Sequence, residues 1–140
     1  MDGKISQIVL VVRNQQESLE FYTEKVEFEI RTDSAPRGGP RFVTVAPKGQ
    51  DLEISLWELG AATDPSQMDV SRSWSPGKSP PILLQVSDCR GMHKELSERG
   101  VKFIQEPVEH PWGTSATFAD PDGNLFSMNQ PPAASAWGKK

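Results

Sequence analysis

The sequence predicts an α+β fold built from two tandem β-α-β-β-β modules, and two observations carry that prediction. Ala46–Glu53 (APKGQDLE) lies over Asp120–Ser127 (DPDGNLFS) with Pro47 on Pro121, an offset of 74 residues that also matches a glycine and a side-chain amide. The same offset sets Ile8, Leu10 and Val12 on Ile82, Leu84 and Val86, and Asn14 on Asp88, each polar residue standing just ahead of a helical pattern. Matches that share one register reinforce each other, because chance similarities have no common spacing.

Lys4 to Val12 is rich in β-branched residues and reads as a strand. Asn14 then caps a helix, and Glu17 three residues on completes a capping-box pattern. Leu19, Tyr22 and Val26 recur at helical spacing and form its apolar stripe. Strands are predicted over Glu27–Thr32, Arg41–Ala46 and Asp51–Trp57, the last two joined by the turn Pro47-Lys48-Gly49-Gln50. The second module repeats the order: strand Pro81–Val86, a helix Arg90–Arg99 capped by Asp88 and stopped by Gly100, then strands near Val101–Ile104, Thr114–Ala119 and Asn124–Asn129. The modules are thus expected over 1–60 and 80–131, with an inter-module linker over 61–79 and a tail over 132–140. The Ser-, Pro- and Gly-rich stretch from Glu58 to Ser79 reads as that linker or as a lid carrying Met68 and Trp74. The tail is expected to be poorly ordered unless Trp137 docks.

With 140 residues and 36% apolar content the chain can bury a core. Its longest apolar run, Ile8 to Val12, is far too short for a membrane span, and Met1-Asp2-Gly3-Lys4 makes a poor leader, so a cytoplasmic protein is expected. The single cysteine, Cys89, has no internal disulfide partner, in keeping with a reducing compartment. A net charge of -4 without a basic run argues against nucleic acid and anionic membrane as partners. A small organic molecule or a second copy of the chain fits better.

Ser18-Leu19-Glu20-Phe21-Tyr22 in the first helix, Arg99-Gly100-Val101 after the second and Asp120-Pro121-Asp122-Gly123-Asn124 before the last strand resemble the vicinal oxygen chelate superfamily. That group includes glyoxalase I, bleomycin-resistance proteins and extradiol dioxygenases, and the resemblance spans residues 4 to 130. It implies curved mixed sheets that enclose a cleft with helices outside, and a homodimer. Metal-dependent members carry ligands near the start of each module's first strand and on each last strand. Read onto this chain those positions fall on Gln7, Glu53, Pro81 and Ser127. Proline offers no donor atom and a serine hydroxyl is a feeble ligand beside a carboxylate, so the resemblance implies a metal-free cleft and no cofactor.

Strand alternation extends this reading, since residues two apart share a face. If Gln7 points inward, so do Val9 and Val11, and likewise Glu53, Ser55 and Trp57, Leu83 and Gln85, and Leu125, Ser127 and Asn129. Polar groups converging beside a tryptophan suit a small, partly polar ligand better than an aliphatic core. Gln7, Ser55, Trp57, Gln85, Ser127 and Asn129 are the ligand-binding candidates, and Glu53 is the candidate general base. His93 is expected on the helix surface, His110 in an exposed loop and Cys89 to be inert. The turn Asp120-Pro121-Asp122-Gly123-Asn124 needs only turn chemistry, and Pro36-Arg37-Gly38-Gly39-Pro40 reads as a loop between strands and not a phosphate cradle, since no helix follows it. Three functions follow: a metal-free binding protein, which we favour; an enzyme, either metal-dependent with an altered ligand set or cofactor-free through Glu53; and an interaction module with a vestigial cleft.

Overall fold

The computed structural model describes residues 2–35, 41–58 and 80–132. The linker 61–79 with Met68 and Trp74, and Trp137 in the tail, lie outside the described residues. The chain divides into two compact units, residues 1–79 with the turn 121–123, and residues 80–120 with 124–140.

Unit 1 contains β1 (Gln7–Val12), α1 (Gln15–Glu20), a π-helical turn Phe21–Lys25, β2 (Glu29–Ser34), β3 (Phe42–Ala46) and β4 (Glu53–Glu58). Its four strands form a mixed sheet in the order β1-β4-β3-β2, β1 parallel to β4 and the rest antiparallel. As predicted, Asn14 caps α1 and its side chain accepts from the Glu17 N–H at 2.9 Å. Leu19 and Tyr22 are buried, and Tyr22 meets Phe21 edge-on and stacks on Phe28. Leu10, Val12, Val43, Val45, Ile54 and Leu56 alternate onto one face and are all buried. Their register pairs, Leu10 with Leu56 and Val43 with Leu56, make a wholly apolar layer that needs the helix as its cover. Gln15, itself buried, ties α1 to that sheet by donating from Nε2 to the Leu56 and Arg41 carbonyls.

Unit 2 repeats the plan with β5 (Ile82–Gln85), α2 (Cys89–Glu98), β6 (Lys102–His110), β7 (Gly113–Ala119) and β8 (Leu125–Gln130), in the sheet order β5-β8-β7-β6. Asp88 caps α2 by accepting from the Gly91 N–H. A chain of rings crosses from helix to sheet: His93 edge-on to Phe103, Phe103 to Phe118, and Phe118 stacked on Phe126. His93 is therefore half-buried against Phe103, where a fully solvated position was expected.

Several boundaries differ from the sequence reading: β1 begins at Gln7 rather than Lys4 and β4 at Glu53 rather than Asp51, and two of the differences have a clear physical cause. β2 begins at Glu29, two residues later than predicted, because Glu27 takes a positive φ of 64° that no strand residue adopts. β6 runs nine residues, well past Ile104, and passes through Pro107. It tolerates the proline because it is an edge strand, and its register slips between Gln105 and Val108.

The turn 121–123 does more than reverse the chain. Gly123 has the positive φ, 92°, that the turn requires. Asp122, however, is buried and accepts from the Arg13 backbone N–H and from Arg13 Nη1, each at 3.0 Å, and from Ser18 Oγ at 3.4 Å. The Asp120 carboxylate accepts from the Asn124 N–H and Nδ2. The predicted turn chemistry is present, and a buried carboxylate has been added to it.

Candidate functional site: the helix-free sheet faces

Each sheet has a second face, opposite its helix, and these faces carry the predicted site residues. In unit 1 the face holds Gln7, Val9 and Val11 from β1, Glu53, Ser55 and Trp57 from β4, and Thr44 from β3. The register aligns Gln7 with Glu53, Val9 with Ser55, Val11 with Trp57, and Thr44 with Ser55. Trp57 Nε1 donates to Ser55 Oγ at 2.9 Å. The two residues stand two apart on one strand, so this bond lays the half-buried indole back along β4 toward Ser55. Ser55 and Thr44 are fully buried, and Thr44 Oγ1 has no hydrogen-bond partner. Glu53 is half-buried, and Gln7 on the edge strand is exposed.

The matching face of unit 2 is more polar. It presents Leu83 and Gln85 from β5, Ser115 and Thr117 from β7, Ser127 and Asn129 from β8, and His110 from the end of β6. Ser115 is opposite Asn129, Thr117 opposite Ser127, and Gln85 beside Asn129. Asn129 Nδ2 donates to the Ser127 carbonyl at 3.0 Å and to Ser127 Oγ at 3.3 Å. His110 does not sit in a loop: it ends β6, its Nε2 lies 3.2 Å from Ser115 Oγ, and its ring stacks on Trp112 at 4.5 Å. Ser115 and Asn129 are buried, while Leu83 and Gln85 on the edge strand are exposed.

The predicted residues therefore divide by strand position. On the central strands Ser55 and Asn129 are buried while Glu53, Trp57 and Ser127 are half-buried, and on the edge strands β1 and β5 the polar candidates Gln7 and Gln85 are exposed. Thr44 and Ser115 were missed as members of these faces, and His110, expected in an exposed loop, joins them. Alternation would have found the first two had it been applied to β3 and β7, where Thr44 interrupts a Val-Thr-Val run and Ser115 stands two residues from Thr117.

The register also corrects one family position. Ser127 is paired with Leu83, as Glu53 is paired with Gln7, so the counterpart of Gln7 is Leu83 and not Pro81. The offset is 76 residues between β1 and β5 and 74 between β4 and β8. Unit 1 thus holds two more residues between the paired strand and its helix cap. An even slip leaves every side chain on its predicted face, which is why the alternation survived the misalignment. Leucine offers a metal no donor atom, and the Ser127 hydroxyl is already an acceptor for Asn129. Among the described residues no three His, Cys, Asp or Glu side chains cluster as a metal site. The donor set at these positions does not fit the divalent ion that metal-dependent relatives use.

Two further groups have altered titration. Burial pushes the Cys89 thiol up, and its Sγ–H points to the Met128 carbonyl, which disfavours the nucleophilic thiolate. The Arg41 guanidinium, bonded to both Asp33 oxygens at 2.8 and 2.9 Å, holds that carboxyl below its usual range.

Comparison with known proteins gives a consistent answer. The family described as Glyoxalase/Bleomycin resistance protein/Dioxygenase superfamily matches residues 4–128. TnmS3, an antibiotic binding protein from Streptomyces sp. CB03234, is 31% identical, with 94% of this chain and 99% of that one covered and a TM-score of 0.73. A member of the same superfamily from Sphaerobacter thermophilus DSM 20745 is 30% identical over 91% of this chain and 97% of its own, with a TM-score of 0.74. YurT of Bacillus subtilis (strain 168) is 33% identical over 91% of this chain and 98% of its length.

Proposed function

The chain belongs to the Glyoxalase/Bleomycin resistance protein/Dioxygenase superfamily, and from that premise we propose that it is a metal-free binding protein for a small organic molecule. The observation that carries this reading is the Trp57–Ser55 hydrogen bond, which holds an indole in one orientation on the sheet face opposite α1. A half-buried tryptophan with its N–H already paired presents a flat apolar surface at low entropic cost. Gln7 can supply a hydrogen bond on the same face of unit 1, and on the corresponding face of unit 2, taken by itself, Gln85, Ser127 and Asn129 offer the polar groups for a ligand. The likeness to an antibiotic-binding protein at 31% identity supports this choice of ligand class over a macromolecular partner. So does the poor donor set at the family's metal positions. On the same reading the protein works in the cytoplasm as a homodimer, the state to be checked by sedimentation equilibrium.

The test is a titration of intrinsic fluorescence with a panel of small aromatic molecules, antibiotics included. Binding should be saturable in the wild type and weaker by about tenfold in Trp57→Ala, in line with the worth of an aromatic stack. A folded Trp57→Ala protein with undiminished affinity for every ligand found would refute the assignment.

A further inference from the structure

The hydrogen-bond accounting at the centre of unit 1 leaves two hydroxyl protons unspent. Thr44 and Ser55 are directly opposed on β3 and β4, both fully buried, and both on the helix-free face. Thr44 Oγ1 has no partner at all. Ser55 Oγ accepts from Trp57 Nε1, so a lone pair is used and its proton remains to be given. Native chains rarely leave buried hydroxyls unpaired, because the lost hydration is not recovered. The neighbours Val9 and Val11 offer no acceptor side chain, Thr32 opposite Thr44 on β2 makes no bond to it, and the charged side chain on this face, Glu53 two residues before Ser55, is an anion.

Two O–H donors that face each other call for one acceptor with two lone pairs. We propose that Thr44 and Ser55 together bind a carbonyl oxygen of an uncharged planar ligand, whose ring lies against the Trp57 indole. This rests on the binding function proposed above and names the ligand's chemistry: a cyclic ketone or quinone. The indole N–H has a second role in this arrangement, since by occupying a Ser55 lone pair it sets that hydroxyl as a donor. A carboxylate would bring a charge into a covered site that holds no cation to balance it. Because both hydroxyls are covered in the ligand-free chain, entry needs a local side-chain rearrangement, and association is slower than at an open surface.

The experiment uses a matched pair of probes, 9-fluorenone and fluorene, which share a planar tricyclic frame and differ by the carbonyl. The wild-type chain should bind fluorenone tighter than fluorene by on the order of tenfold, the worth of a hydrogen bond that repairs an unpaired donor. Thr44→Val keeps the shape and removes the hydroxyl, so it should erase that preference, the two probes then binding with equal affinity. Thr44→Ser should retain it. The ligand-free Thr44→Val protein should melt no lower than wild type, because it loses an unpaired polar atom. Equal binding of the two probes by the wild type overturns the proposal, as does a preference that survives in Thr44→Val. In either case fluorene binding that still depends on Trp57 leaves the broader binding function standing. Failure of the wild type to bind either probe overturns the carbonyl assignment, and the aromatic panel then decides the broader function separately.

Discussion

The two units share a topology and a helix cap but treat their helix-free faces differently. At the matching register positions, unit 1 has Val9, Ser55 and Thr44 where unit 2 has Gln85, Asn129 and Ser115. Unit 1 adds an indole pinned by a hydrogen bond, whereas unit 2 adds an imidazole bonded to Ser115 and a carboxamide bonded to Ser127. The helix-bearing faces show no such divergence: both are closed by buried aliphatic and aromatic side chains. A duplicated fold can therefore keep one face for stability and let the other carry function.

The largest effect should come from the face the units have in common. Tyr22→Ala in unit 1 and Phe126→Ala in unit 2 each remove a fully buried ring, and each should cost about 3–5 kcal/mol in urea unfolding. A cost below about 1 kcal/mol in either would show that one unit does not depend on its helix cover as the other does.

Next comes Asp122, which has no counterpart in the Pro47–Gln50 turn of unit 1, where Lys48 stands at the equivalent place. Asp122→Ala leaves the Arg13 N–H and Ser18 hydroxyl without their acceptor and should destabilise by about 1–3 kcal/mol. Lys48→Ala, at an exposed site, should change stability by less than about 0.5 kcal/mol. Equal effects from the two would remove the asymmetry between the turns.

How far the sequence disclosed these features depends on which physical rule governs each. Strand faces were legible because side chains alternate with period two, and that rule held for Ser55, Trp57, Gln85 and Asn129 even where the repeat was misaligned by two residues. The Leu83–Ser127 pairing was not legible, since ladder register is fixed by contacts between strands and the offset near the helix cap does not report it. Likewise Asp122 had the sequence of an ordinary turn. Its burial depends on Arg13 and Ser18, which lie more than a hundred residues earlier in the chain. His110 was hidden by Pro107, which reads as a strand terminator everywhere except on an edge.

The register correction has its own smaller test. Leu83→His with Ser127→Glu places an imidazole and a carboxylate on adjacent strands of unit 2, side by side as Gln7 and Glu53 are in unit 1. Added Ni or Zn should raise the melting temperature of this double variant by a few degrees through binding to the folded state, and should do so less in either single variant. If Pro81→His with Ser127→Glu responds as strongly, the pairing is wrong.

The smallest effect concerns surface charge. Unit 1 has the two-pronged Asp33–Arg41 pair, while in unit 2 Arg90 and Glu109 meet through one longer contact of 3.5 Å. Because the Asp33 pKa is lowered in the folded chain, its contribution is present above the unfolded carboxyl pKa and is lost as pH falls through the folded value. Asp33→Asn should therefore lower stability slightly at neutral pH and not at all in strong acid. Thermal melts across that range check the sign.

The central claim is that ligand meets the helix-free face of unit 1 at Trp57. The most direct measurement is a ¹⁵N–¹H spectrum of the four indole N–H groups, with the Trp57 resonance assigned by its loss in Trp57→Phe. On addition of a ligand found in the panel, the Trp57 resonance should shift progressively and saturate with the binding curve. A Trp57 resonance that stays in place while the same ligand saturates the protein would contradict the account.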